Sequence, residues 1–225
     1  MKRKTAKAAF DMIEDGMVLG LGGGKTVSMI IDLLKENPRK ISAVSPSEDT
    51  LASLLEAGIP VLPLSTVERV DLAFDGCDEL DFALNALKSA GGIHTREKIV
   101  ASMAGRYILL ADEGKFHQTL PFEHPVTVEV IPAAHASARR ALEALGADVR
   151  DRRFPGKSGT AVSDDGNYLV EARVRPQDPE ALCEKIKKIP GVVDSSLFAG
   201  VAHGALIAGE SGVRLVWKRE LREVS

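Results

Sequence analysis

Between residues 17 and 112 short apolar runs alternate with helical patterns, and that alternation restricts the fold more than any single motif. "MVLGL" (17–21) reads as a buried strand. "TVSMIIDLLKEN" (26–37) then places Val27, Ile30, Ile31 and Leu34 on one helical face before Asn37-Pro38 stops it. "ISAVS" (41–45) is a second strand. In "SPSE" (45–48) Ser45 is expected to cap a helix running to Gly58, with Pro46 in the first turn and Glu48 completing a capping box. "VLPL" (61–64), "VDLAF" (70–74) and "RYILLAD" (106–112) follow as third, fourth and fifth strands, with a helix opening near Thr95. Such an order predicts a Rossmann-like α/β unit, a parallel sheet covered by helices.

From residue 126 the texture changes. "VTVEVI" is a strand and "AAHASARRALEALG" a helix ended by Gly146. "GTAVSDDGNYLVEARV" holds two β-prone runs about an Asp-Asp-Gly-Asn turn; "DPEALCEKIKKIPG" is a helix with proline in its first turn, and "VVDSSLF" is a last strand. The order βαββαβ is that of a smaller ferredoxin-like α+β unit. The tail "GALIAGESGVRLVWK" reads as a hairpin returning to the first unit, with Trp217 packed in it. The expected division is 1–125 with 204–225 for the α/β unit and 126–203 for the ferredoxin-like one.

Composition narrows the partners. With 225 residues, 44% hydrophobic and 27% charged, the chain has an ordinary globular make-up and enough length for such cores. Aromatics at 4% and a net charge of −3 speak against nucleic acid and acidic membranes as partners. No apolar run approaches the roughly 20 residues of a membrane span, and the basic N-terminus lacks the apolar core of a signal peptide, so a cytoplasmic location is expected. Cys77 and Cys183 lack metal or disulfide spacing, and His117, His124, His135 and His203 lack ligand spacing, so no metal is expected. Cys77 reads as a space-filling residue, Cys183 as core, His94 as structural or site-lining, and Arg152-Arg153 as a solvated face.

Ligands of parallel α/β sheets bind beyond the carboxyl ends of the strands. "GLGGGKT" (20–26) lies there, yet it matches neither nucleotide motif. A P-loop would need glycine where Leu19 stands, and the dinucleotide fingerprint would need one where Lys25 stands. Its glycines still expose backbone N–H groups at a helix start. "DGCDELD" (75–81) places Asp75, Asp78, Glu79 and Asp81 after the fourth strand. "LKSAGGIHTREK" (87–98) carries Lys88, then Thr95 as expected cap of a helix bearing Arg96, Glu97 and Lys98, and "ADEGKF" (111–116) adds Lys115. Anion-holding loops beside carboxylates suit a small phosphorylated substrate undergoing proton transfer.

The same blocks, in the same order, resemble the ribose-5-phosphate isomerase A family over essentially the whole chain. "GLGGGKT", "DGCDEL", "KSAGGIHTREKI", "ADEGK" and "PVTVEVIP" stand where that family has a "GxGTGST"-like loop, "DGADE", "KGGGAALxREKI", "AD-x-SK" and "PVEVIP". The resemblance implies interconversion of ribose 5-phosphate and ribulose 5-phosphate without metal or organic cofactor, and the second unit offers surfaces for a homo-oligomer (dimer or tetramer). The resemblance makes Glu97 the general base, sets Lys88 against the enediolate oxyanion, and has Asp75 and Asp78 hold sugar hydroxyls, with a part for Asp75 in ring opening. Gly23, Gly24, Lys25 and Thr26 would take the phosphate, and Gly76, Cys77, Ser89, Ala90, Gly91 and Lys115 would complete the substrate site. Two departures stand out. Gly23-Gly24-Lys25-Thr26 replaces Thr-Gly-Ser-Thr, and Ser89 and Ala90 replace glycines, which matters if the backbone there needs positive φ. A paralogue acting on another sugar phosphate stays open, as does a non-catalytic sugar-phosphate sensor like the effector domains of some bacterial repressors. About sixteen residues before the first strand are too few for the DNA-binding helices of such a sensor. A CoA transferase or amino-sugar phosphate deaminase is a further alternative of similar fold, against which the Lys88–Lys98 block stands.

Overall fold

A computed structural model describes residues 1–156 and 158–218. The chain opens with α1 (Lys2–Phe10), β1 (Val18–Leu21), α2 (Lys25–Glu36), β2 (Ser42–Val44), α3 (Glu48–Glu56) and β3 (Val70–Gly76). It continues through β4 (Glu79–Asp81), β5 (Ala86–Leu87), α4 (His94–Met103), β6 (Ala104–Asp112) and β7 (Phe116–His117). Next come β8 (Val126–Val130), α5 (His135–Ala144), β9 (Asp148–Asp151), β10 (Tyr168–Arg173) and α6 (Pro179–Lys187). The last described elements are β11 (Val192–Ser195), β12 (Leu197–Phe198), β13 (Gly204–Gly209) and β14 (Gly212–Trp217).

The larger sheet has the order β14-β13-β6-β3-β1-β2, parallel throughout except for β14. Successive side chains of a strand point to opposite faces. In β6, Ile108 and Leu110 join the core under α1 and α2, while Tyr107, Leu109 and Ala111 join the one under α4. The expected face of α2 is the buried one: Val27, Ile30, Ile31 and Leu34. The hairpin at the chain's end is found as β13 and β14, with β13 parallel to β6 and Trp217 against the α1–α2 core; the expected tail beyond residue 218 lies outside the described residues.

The smaller sheet, order β11-β8-β10-β9, is antiparallel throughout and backed by α5 and α6, the ferredoxin-like arrangement. Its second strand is not the run before the Asp-Asp-Gly-Asn turn. That run contributes a single bridge, Val162 to Tyr168, and the pairing edge of β10 is taken by β9. A third small sheet, β12-β5-β4-β7, joins segments from both halves of the chain.

Two local expectations change. "VLPL" is no strand: Val61 makes one bridge to Ala43 and a 3-10 turn covers Leu64–Thr66. The cap of α3 is Ser47, whose hydroxyl accepts from Thr50 N at 3.3 Å. The Ser45 hydroxyl is instead spent on the backbone of Ser47, accepting from its N–H and donating to its carbonyl. Ser47→Ala should therefore lower stability by about 1 kcal/mol in urea unfolding, the usual cost of a lost N-cap.

Candidate active site

The segments following β1, β2, β3 and β6 line one cleft of about 620 Å³, with the loop before α4 on its far side. Of the residues the resemblance places in the site, all but Ser89 line it. The hydroxyl of Ser89 turns away, donating to Pro125 O at 2.5 Å and lying 3.0 Å from Ser196 Oγ.

The acidic segment divides in two. β3 runs on through Asp75 and Gly76, which brings Asp75 and Asp78 to the cleft. Glu79 and Asp81 belong to β4 and face inward. Glu79 accepts from the backbone N–H groups of Phe122 and His124, and Asp81 from the backbone and side chain of Asn85. Asp75 lies so close to Gly22 that a β-carbon there would sit 2.0 Å from its carboxylate, so only glycine fits. Asp75 also accepts from Gly76 N at 2.8 Å and from the buried Tyr107 hydroxyl at 3.2 Å.

Lys88 forms the floor. Its ammonium is 3.0 Å from Asp75 Oδ1 and 3.2 Å from Glu97 Oε1, and it donates to Gly76 O at 2.5 Å. All three side chains are under 10% exposed (5%, 4% and 8%), so their charges act with little screening. Burial alone would favour a neutral Lys88 amine, but Asp75 and then Glu97 outweigh it and hold the ammonium above its ordinary range. Burial, and after it the charge of Asp75, push the Glu97 carboxyl up to about 8 from its ordinary 4.5. Cys77 Sγ is pushed up to about 12 by burial, which fits a space-filling thiol and no nucleophile.

α4 presents Glu97 because its neighbours are engaged elsewhere. Thr95 is not the cap, a position held by Ile93; its hydroxyl donates to the buried Glu129 of β8. Lys98 pairs with Asp194 at 2.7 Å, and Arg96 with Asp165 at 2.8 Å. His94 is fully buried, with Nε2 3.3 Å from Asp194 O, and burial pushes it down to about 4, so it is a neutral structural residue outside the cleft lining. Lys115 Nζ donates to Cys77 O at 2.6 Å, next to the carbonyl Lys88 takes.

At the opposite wall Gly24, with φ of 95°, starts α2. No side chain caps that helix, so its first-turn N–H groups open toward the cleft that Lys25 and Thr26 line. In the loop before α4, positive φ falls on Gly92, at 71°, and on neither Ser89 nor Ala90. The β-carbons of Ser89 and Ala90 therefore carry no backbone strain.

Several contributors went unread in the sequence. Lys2, from the basic N-terminal run, lines the cleft, as do Glu48 and Asp164. Arg152 is no solvated residue. Its side chain is 13% exposed and its guanidinium donates to the carbonyls of Ser89 and Ala90, whereas Arg153 is exposed. Among the described residues, no group of three or more His, Cys, Asp or Glu side chains is arranged to hold a metal ion, and no helix is long and apolar enough to cross a membrane.

The family model for ribose 5-phosphate isomerase A (phosphoriboisomerase A) matches residues 42–212. The chain belongs to this family. It is 40% identical to the ribose-5-phosphate isomerase A of Thermosynechococcus vestitus over 96% of each chain, and 38% identical to that of Thermococcus kodakarensis over 95% of this chain and 96% of the relative. The solved ribose 5-phosphate isomerase A of Methanocaldococcus jannaschii superposes with a TM-score of 0.90 at 33% identity, covering 96% of this chain and 97% of the other. A D-ribose-5-phosphate isomerase solved in complex with phospho-erythronic acid gives 0.91 at 35% identity, with the same coverage.

The raised Glu97 carboxyl has a stability consequence. The folded state holds this proton more tightly than the unfolded state, so the group's contribution falls as pH rises from about 4.5 to about 8 and stays low above. The melting temperature of Glu97→Gln relative to wild type should therefore increase between pH 5 and pH 8.5. A pH-independent difference in calorimetry would contradict it.

Proposed function

We propose that this chain interconverts D-ribose 5-phosphate and D-ribulose 5-phosphate through an enediolate, with Glu97 as the base that moves the proton. Membership of the ribose-5-phosphate isomerase A family carries the activity and makes the chain an aldose–ketose isomerase. The residue roles rest on one observation, the buried Lys88 ammonium held between Asp75 and Glu97 at the floor of the cleft.

In the open-chain aldose the Glu97 carboxylate takes the proton from C2. The C2–H electron pair becomes the C1–C2 double bond, and the carbonyl pair moves onto O1. Lys88 faces the developing oxyanion, which it stabilises without reorganising because its position is already fixed. The hydroxyl proton then passes from O2 to O1, and Glu97 returns its proton to C1 to give the ketose. A carboxyl near 8 suits both halves of this shuttle, since it takes and returns a proton at modest cost around neutrality. Asp75 and Asp78 hold sugar hydroxyls, and Asp75 takes part in opening the ring.

The phosphate goes to the amino end of α2, with Gly23, Gly24, Lys25 and Thr26. The solved relative in complex with phospho-erythronic acid supports a phosphorylated ligand in this family. Lys25 is exposed at the first position of α2, where a cation free to reach the phosphate replaces the hydroxyl donors of the family pattern. The same reading has the chain act in the cytoplasm as a homo-oligomer.

The test is isomerisation of ribose 5-phosphate by purified, chelator-treated protein. Glu97→Gln should lower kcat by about 10²–10⁴, and near-full activity of that variant would remove Glu97 as the base. Lys25→Ser should raise KM for the phosphorylated sugar with little change in kcat. An unchanged KM would take Lys25 out of the phosphate site, and no turnover by folded wild type would direct the search to other sugar phosphates.

A further inference from the structure

The loop that delivers Lys88 is held from both sides, and one of the two holders comes from the antiparallel sheet. On the cleft side, Asp78 Oδ2 accepts from Ser89 N at 2.7 Å and from Ala90 N at 3.0 Å. On the other side, Arg152 Nη1 donates to Ser89 O at 2.5 Å and Nη2 to Ala90 O. Each of these carbonyls thus meets a cation, while each of these N–H groups meets an anion.

Arg152 is built for the task. It directly follows β9, and its own backbone continues the ladder, donating to Leu169 O at 3.0 Å and accepting from Ala161 N at 2.8 Å. The side chain lies between Thr127 Oγ1 at 3.4 Å, the Phe154 ring at 5.6 Å and Glu171 at 3.9 Å. A β-carbon on Gly92 would meet Leu169 at 2.9 Å, so the loop is pressed onto the strand that Arg152 pairs with. Carbonyl and N–H point in opposite directions across a trans peptide. Drawing the Ala90 carbonyl toward Arg152 therefore turns the Gly91 N–H away from it, on the side of the cleft that Gly91 lines.

We infer that Arg152 is a positioning residue for the isomerase reaction: its guanidinium fixes the Ser89 and Ala90 peptides and thereby sets Lys88 and the Gly91 amide against the substrate. This rests on the proposed isomerase function for its catalytic consequence but not for its structural one. A planar fork that reaches two successive carbonyls is a property of arginine that lysine cannot reproduce.

Two readouts test it. The first is amide hydrogen exchange of the unliganded protein across residues 88–92, with Tyr168–Arg173 as control segment. Arg152→Ala should speed exchange in the loop while leaving the control protected. The second is kinetic. Arg152→Ala should lose about 10–10²-fold in kcat for ribose 5-phosphate, the scale of a misplaced catalytic group. Millimolar guanidinium ion should restore part of it, and sodium chloride at equal ionic strength should not. Arg152→Lys, which keeps the charge and loses the fork, should fall between wild type and Arg152→Ala in both readouts and carries the test should the alanine variant not fold. Unchanged loop exchange, or wild-type kcat, overturns the inference. A wild type that does not turn over ribose 5-phosphate counts against the isomerase reading, and the exchange result then decides the role of Arg152 by itself.

Discussion

Two carboxyl groups share one buried ammonium at the base of the cleft, and the surrounding structure answers to that imbalance. An unpaired buried charge costs several kcal/mol, so Lys88 needs Asp75 or Glu97. The charge of Asp75 in turn opposes the ionisation of Glu97 beside the same nitrogen. The protein resolves this unequally. Asp75 receives donors from Gly76 and Tyr107 as well as Lys88, while Glu97 has burial and the charge of Asp75 against it and moves up toward 8. A carboxyl able to hold or release a proton near neutral pH results from the packing of its neighbours.

That packing is supplied by both main sheets. The parallel sheet carries Asp75 near the end of β3, and Gly22, just after β1, lets the carboxylate come close to that loop. The antiparallel sheet grips α4 through Glu129, Asp194 and the Ser163–Asn167 turn, whose side chains also bind Glu129. Residues 94, 95, 96 and 98 are spent on this docking, and Glu97 between them points into the cleft. Sites of this kind need placement to within a fraction of an ångström, and a helix clamped between two sheets provides it.

Much of this was legible in the sequence, because the chemistry sits in contiguous blocks that each follow a strand. The apolar runs of β1, β3, β6 and β8 were plain, and the spacing of Val27, Ile30, Ile31 and Leu34 gave the buried face of α2. What escaped was decided by contacts distant in sequence. β9 reads "DVRD", with one buried side chain, and becomes a strand because β10 needs a partner. Strands of two or three residues such as β5, β7 and β12 are too short to carry a period. Ser45 and Ser47 are equal candidates for a cap until the backbone of Ser47 claims the Ser45 hydroxyl. Arg152 looked like a surface charge since nothing near it in the chain announces the two carbonyls that lie more than sixty residues earlier.

The place of β13 in the larger sheet bears on how the protein is made. β13 covers the edge of β6, and it lies between that strand and β14, yet it is not synthesised until residues 204–209. A growing chain that has released everything through the antiparallel sheet still displays the full length of β6 with one row of backbone groups unpaired. Open edges of that sort invite pairing with other chains, and domain-wise folding during synthesis exposes them for seconds. A chain ending before β13 would leave that edge of β6 without its partner strand, and in the folded protein the β13–β14 hairpin covers it.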